Sequence, residues 1–231
     1  MLLICSNYCY SNTLVDKKDN NINFFKKIVI DAGHGGKDAG ATINNVLEKN
    51  INLQISLILG KLISDSYPKT EVIYTRNQDN YLCLSTRTII ANNAKADLFI
   101  SLHCNYHKNC SINGVEIFVL KPFKSYFNFK KNYIDNIKNV ILKNKFINES
   151  IILSYFIKKE LSKNNIFVRN IKQANFLVIK HTKMPSILIE IGYLSNKDDF
   201  LYINSSIGKK KIAKCILKAL ITYNNIVCNI Y

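Results

Sequence analysis

Four residues have the type and setting for metal-assisted hydrolysis. His34 lies in Gly33-His34-Gly35-Gly36, directly after the apolar run Ile28-Val29-Ile30 and Asp31. His103 closes Leu98-Phe99-Ile100-Ser101-Leu102, and Glu190 sits near the end of Ser186-Ile187-Leu188-Ile189-Glu190-Ile191. Glu48 opens a stretch with apolar residues at helical spacing. Two histidines and one carboxylate are a ligand set for catalytic zinc that leaves a position open for water. A second carboxylate can then serve as general base. Residue types alone do not say which glutamate takes which part. Each residue also has a plainer reading. A histidine at a strand end is often structural, and Glu48 is a favourable first-turn acid beside the positive end of a helix. Glu190 is harder to dismiss, because an unpaired carboxylate inside an apolar strand is costly to bury.

The elements that must position these residues follow from periodicity. Short β-branched runs predict strands at 26–31, 71–76, 97–103, 114–120, 174–179 and 186–191. Leu47, Ile51, Ile55, Ile58 and Leu62 mark one face of a helix over about 47–65, and Ile212, Ile216 and Leu220 one over about 208–224. Further helices fit 84–95 and 149–163. Strands alternating with helices predict an α/β fold: a single domain with a twisted, mostly parallel sheet of about six strands flanked by helices. Ligands of such sheets bind beyond the carboxyl ends of the strands, which is where His34, His103 and Glu190 fall.

Composition narrows the class. The 231 residues are 48% hydrophobic and 21% charged, enough for one sizeable core and against wholesale disorder. No apolar run is long enough for a transmembrane segment. The 32 Lys+Arg against 16 Asp+Glu give a net charge of +16, which suits an anionic partner such as an envelope polymer. Only Arg76, Arg87 and Arg169 are arginines, however, and a predominance of Lys, Asn and Ile is also what A/T-rich coding produces. A nucleic-acid reader would carry more arginine, so no nucleic-acid partner is expected. The seven cysteines (Cys5, Cys9, Cys83, Cys104, Cys110, Cys215 and Cys228) are odd in number and contain no C-x-x-C, so neither a disulfide framework nor a thiolate zinc site is indicated. Residues 1–25 read as an N-terminal leader or degenerate export signal, 26–224 as the catalytic domain and 225–231 as a C-terminal tail.

The ordered blocks IVIDAGHGGKDAGA (28–41), Leu47-Glu48-Lys49-Asn50, Thr75-Arg76, LSTRTIIAN (84–92), ADLFISLHCN (96–105), GVEIFVL (114–120) and QANFLVIKHTKMPSILIEIGYLSN (173–196) resemble the zinc-dependent N-acetylmuramoyl-L-alanine amidases. The resemblance covers roughly residues 26–222. It implies one Zn2+ per chain held by His34, Glu48 and His103, with Glu190 as the catalytic glutamate. It implies hydrolysis of the amide joining N-acetylmuramic acid to L-alanine in peptidoglycan, for wall turnover and daughter-cell separation, in the cell envelope and most naturally the periplasm. Glu190 then takes the proton of the attacking water and delivers it to the departing alanine nitrogen. Two departures stand out: Ala32 replaces a frequent proline, and Arg169-Asn170-Ile171-Lys172 replaces Arg-Gly-Val-Lys.

The remaining candidates divide. Arg87 reads as structural; Arg76 reads either as structural or as a contact for a substrate carboxylate. Asn105 binds substrate or braces its loop. His107 and His181 fit surface or loop roles, and Cys104 fits core packing. Residues 122–149 lie where some relatives carry a lid that a partner removes, so they read either as a regulatory insertion awaiting an activator protein or as a variable surface loop. Glu149 would be an inhibitory metal ligand under the first reading. Two other functions use the same residues: another zinc peptidase or amide hydrolase, and a non-catalytic basic wall-binding protein.

Overall fold

The computed structural model describes residues 25–122 and 133–227. The leader up to residue 24, residues 123–132 and the tail from 228 lie outside the described residues, and with them the export-signal reading and Cys5, Cys9 and Cys228. The elements run β1 (Lys27–Ala32), β2 (Thr42–Ile43), β3 (Val46–Leu47), α1 (Glu48–Ser66), β4 (Glu71–Tyr74), α2 (Leu84–Ala94), β5 (Leu98–Asn105), β6 (Val115–Leu120), α3 (Tyr133–Lys163), β7 (Val168–Ala174), α4 (Leu177–Lys180), β8 (Ser186–Tyr193), α5 (Lys197–Asn204) and α6 (Ser206–Val227).

Six strands form one sheet in the order β4-β1-β5-β8-β6-β7, parallel throughout except where β6 meets β8. Successive side chains of a strand point to opposite faces. One face carries Ile28, Ile30, Leu98, Ile100, Leu102, Ile117, Ile187 and Ile189, packed against Ile51, Ile55, Leu59 and Ile63 of α1 and the apolar sides of α3 and α6. Fully burying each such side chain contributes roughly 1.5–3 kcal/mol, which makes this the main core. The other face carries Val29, Phe99, Phe118 and Leu188 under Ala91 of α2 and Val178 and Ile179 of α4. The second cover is small. By alternation, Asp31, Ser101, His103, Glu116 and Glu190 belong to this less covered face.

Two elements differ from expectation. The strand placed at 174–179 is β7 at Val168–Ala174, and Leu177–Lys180 is a helical turn instead. β7 is an edge strand with mostly exposed polar side chains, so its hydrophobic signal is weak. The apolar Val178 and Ile179 that imitate a strand bury as one turn under the sheet. The helix placed at 149–163 begins already at Tyr133.

The turn out of β1 is held by two buried arginines. Arg76 donates to the carbonyls of Ala32, Gly33, Lys49 and Gln78 at 2.8–3.2 Å. Arg87 donates to Ala32, His34 and Leu82 and forms an ion pair with Asp31 (Nη1–Oδ1 2.8 Å), itself fully buried. Asp31 also accepts from Thr75 and Ser101. Burial alone would raise the Asp31 pKa, but the Arg87 charge and these hydrogen bonds hold it below the usual carboxylate range. Arg87→Ala leaves the buried Asp31 carboxylate without its counter-charge and the His34 and Leu82 carbonyls without their guanidinium donor. It should cost about 3–5 kcal/mol in urea unfolding; a loss below about 1 kcal/mol would show that the pair does not hold the turn.

Candidate active site

The structure brings His34, Glu48 and His103 together from three places. Beyond β1 the chain turns so sharply that His34 adopts a left-handed backbone (φ 59°), a conformation costly for a non-glycine residue and maintained by its surroundings. Gly33 lies so close to the His103 ring that a Cβ there would sit 2.2 Å from it. Gly40 (φ +67°) leaves room for the Glu48 side chain in the same way. α1 starts at Glu48 without a capping side chain; the carbonyls of Ala39 and Ala41 accept its first N–H groups instead. The glycine loop therefore folds back onto the helix start and fixes Glu48 beneath His34.

Glu48 Oε1 lies 3.1 Å from His34 Nε2 and 3.2 Å from His103 Nδ1. The three residues offer donor atoms all within 4.8 Å of one another, a group that could hold a metal ion. Glu48 is oriented by the N–H groups of Ala41 and Cys104 and by the Asn52 amide. His34 Nδ1 lies 2.9 Å from Asp38 Oδ2, so the ring turns Nδ1 to that carboxylate and Nε2 to the cluster. Burial works to raise the Glu48 pKa, but the two imidazoles outweigh it and hold the carboxyl far below its usual range. Burial works to lower His34, yet Glu48 and Asp38 lift it to about 9. Two imidazoles thus compete for one carboxylate oxygen that a divalent cation would satisfy, so the donor set fits a metal.

Glu190 stands beside this cluster. Its Cα is in register with that of His103 across the parallel β5–β8 pair, so both side chains rise from the same face. Its Oε2 is buried with no hydrogen-bond partner among the described residues. Burial is the main cause that lifts its pKa to about 7; Glu48 and Glu116 add to the shift, and the two histidines oppose it. A carboxyl poised there can both take and return a proton near neutrality.

Other expected residues fall outside the cluster. Arg76 is spent on four backbone carbonyls, so the substrate-contact reading is overturned and the structural one holds; Arg87 is structural as expected. Asn105 braces its loop by accepting from the Tyr106 N–H and also donates to Glu116. His107 accepts from the Asn109 N–H in a loop, the His181 carbonyl accepts from Asn92, and Cys104 is buried. Glu149 pairs with Lys145, and the next residue, Ser150, bonds Ser186 at the opposite end of β8 from Glu190. Glu116 escaped the sequence reading, although the signal that singled out Glu190, an acid within an apolar strand, applies equally to it.

Comparison with known proteins agrees with this geometry. The profile of the family described as N-acetylmuramoyl-L-alanine amidase matches residues 28–222. A putative N-acetylmuramoyl-L-alanine amidase of Buchnera aphidicola subsp. Baizongia pistaciae is 35% identical over 207 residues, covering 85% of this chain and 95% of the relative. The catalytic domain of CwlV, an N-acetylmuramoyl-L-alanine amidase from Bacillus (Paenibacillus) polymyxa var. colistinus, superposes with a TM-score of 0.70 at 30% identity, covering 87% of this chain and 98% of that one. The CwlD amidase from Clostridioides difficile, solved in complex with the GerS lipoprotein, gives 0.71 at 28% identity, over 87% and 99%.

The raised Glu190 pKa has a thermodynamic signature in metal-free protein. The folded chain keeps a proton up to about pH 7 that the unfolded carboxyl releases near 4.5. The folded state therefore binds more protons between those values, and stability falls as pH rises through this window. Glu190→Gln removes that loss. Its urea-unfolding stability relative to wild type should grow from about pH 4.5 to 7 and level off above. A pH-independent difference would show that Glu190 titrates normally.

Proposed function

The chain belongs to the N-acetylmuramoyl-L-alanine amidase family, and we propose on that premise that it hydrolyses the amide between N-acetylmuramic acid and L-alanine in peptidoglycan with zinc held by His34, Glu48 and His103. The observation that carries the reading is the half-buried carboxyl of Glu190, its Oε2 enclosed with no hydrogen-bond partner among the described residues, in register beside a His-Glu-His donor set. The chemistry supplied by zinc at those donors is Lewis acidity, which polarises the scissile carbonyl and brings a water pKa towards about 7.

The protein's own groups do the rest. Asp38, Asn52 and the N–H groups of Ala41 and Cys104 hold the donors in place, so little reorganisation accompanies the reaction. Glu190 accepts the proton of the attacking water. It then donates that proton to the alanine nitrogen, because an amine leaves far more readily than an amide anion. Burial keeps Glu190 able to act in both directions near pH 7.

The site of action we infer is the cell envelope, most naturally the periplasm, in wall turnover and daughter-cell separation. We also propose that residues 122–149 regulate access and respond to an activator protein. Support comes from the long connection between β6 and α3 and from CwlD having been solved with a protein partner. Ile147 and Ser150 are buried against the fold, so a regulatory part would lie N-terminal to them.

Digestion of purified sacculi by zinc-loaded protein should release stem peptides with new L-alanine amino termini, seen by mass spectrometry and absent after chelation. Cleavage at another amide would move the function to a peptidase. Binding without products, zinc-independent and strongly salt-dependent, would favour a wall-binding protein. Glu190→Gln should lower turnover by about 10²–10⁴-fold while retaining one zinc per chain by atomic absorption; loss of the zinc would refute its role as base. Replacing 123–132 with a Gly-Ser linker of equal length should raise basal activity several-fold, and unchanged activity would refute the regulatory reading.

A further inference from the structure

Glu116 is a buried acid on the same sheet face as Glu190, and the reaction above makes no use of it. Its Cα is in register with Glu190 across the antiparallel β6–β8 pair. Three side chains converge on it. Lys172 Nζ is 2.6 Å from Oε1, Arg169 Nε 3.9 Å from the same oxygen, and Asn105 Nδ2 donates to Oε2 at 3.1 Å. Resting on the amidase reading, we propose that Arg169 and Lys172, aligned by Glu116, form a subsite for a carboxylate on the peptide side of the scissile amide.

The backbone of β7 is shaped for this purpose. In a regular strand, residues three apart face opposite sides. Arg169 and Lys172 nevertheless both reach Glu116. The register of β6 and β7 slips between Val115↔Val168 and Glu116↔Asn170, placing one extra residue, Arg169, in β7. Such bulges re-aim a side chain. The two cations face one carboxylate, so the cluster carries one positive charge in excess. Glu116 is 2% exposed, while Arg169 and Lys172 are 38% and 45% exposed at their side chains. The acid is the buried foundation, and the cations are the accessible part. Among the described residues no hydrogen bond engages the terminal guanidinium nitrogens of Arg169, and that planar fork is the group best matched to a carboxylate.

The order of strands gives the direction. The donor set lies at β1 and β5, Glu190 on β8, Glu116 on β6 and the cations on β7. Glu190 serves the amide nitrogen, so the leaving peptide extends from β8 towards β6 and β7. Strands sit about 4.8 Å apart, which puts β7 roughly 10 Å beyond Glu190. The first two or three peptide residues span that distance at about 3.5 Å each. The sugar side is uncharged, whereas stem peptides carry carboxylates, so a cationic subsite is useful only on this side.

The test is titration calorimetry of zinc-loaded Glu190→Gln protein with N-acetylmuramoyl-L-alanyl-D-glutamate and with its diamide. The acid should bind about tenfold more tightly than the diamide, the scale of one charge-assisted contact. Arg169→Gln should remove most of that preference, and Arg169→Gln with Lys172→Gln all of it, with diamide affinity unchanged. The diamide thereby reports that the site is still folded, a readout that a purely structural pair would leave equal for both ligands. Equal binding of acid and diamide by the parent protein, or a preference that survives the double variant, would overturn the proposal. Turnover plays no part in the measurement. Release of no L-alanyl peptides from sacculi by either the wild-type protein or the variant with 123–132 replaced would refute the amidase reading, while the charge preference would still be read independently.

Discussion

The site depends on how three consecutive carbonyls, those of Ala32, Gly33 and His34, are held as the chain leaves β1. A backbone that turns left-handed at a histidine, between a glycine and two more, would sample many conformations if left to itself. Arg76 and Arg87 between them accept no alternative: each carbonyl receives at least one guanidinium N–H, and Asp31 neutralises Arg87 from inside the sheet. A buried ion pair of this kind offers little net stability over an apolar replacement, since desolvation offsets its attraction. Its value here is geometric. It puts the His34 ring over Glu48, against the His103 ring at a centroid distance of 4.9 Å.

Three acids, Glu48 and Glu116 buried and Glu190 half-buried, share the site's neighbourhood, and their surroundings separate their tasks. Glu48 receives two imidazoles, two backbone N–H groups and an amide, so it stays ionised and is suited to a cation. Glu116 receives a lysine, an arginine and an amide, so its charge is more than offset where it stands. Glu190 lies between them and leaves one oxygen without a bond. Burial lifts its pKa to about 7, and a carboxyl with that property can serve first as base and then as acid. The division follows from neighbours on adjacent strands and needs no difference in residue type.

Much of this was legible in the sequence. The β-branched runs ending near Asp31, His103 and Glu190 gave three of the four interior strands of the sheet, and the four-residue steps of Ile51 and Ile55 gave the helix behind Glu48. The six-strand, mostly parallel sheet followed from their alternation with helices. What escaped was decided by tertiary context. β7 lies at an edge, where a strand can be polar, and α4 is too short to show a period. Arg76 left two roles open because a strand-end arginine can face a substrate or the backbone; only the fold shows that its donors are spent inward. Glu116 stood within an apolar run, as Glu190 did, but its partners come from β5 and β7 and no local pattern announces them.

The distribution of arginine carries the same lesson about geometry. With 32 basic residues, of which only Arg76, Arg87 and Arg169 are arginine, the chain uses lysine wherever a positive charge alone suffices. A uniform drift towards lysine codons explains the abundance on the surface but not the three exceptions. Two of them each reach three or more carbonyls from one planar group, which a lysine ammonium at the end of a flexible stem does not reproduce. The third, on β7, meets Glu116, its only ionic partner among the described residues, through Nε at 3.9 Å, with its side chain 38% exposed. Arginine persists in this lysine-rich chain where a fixed, forked donor is required, and that pattern sets Arg169 with the two that build the site rather than with the lysines that coat the surface.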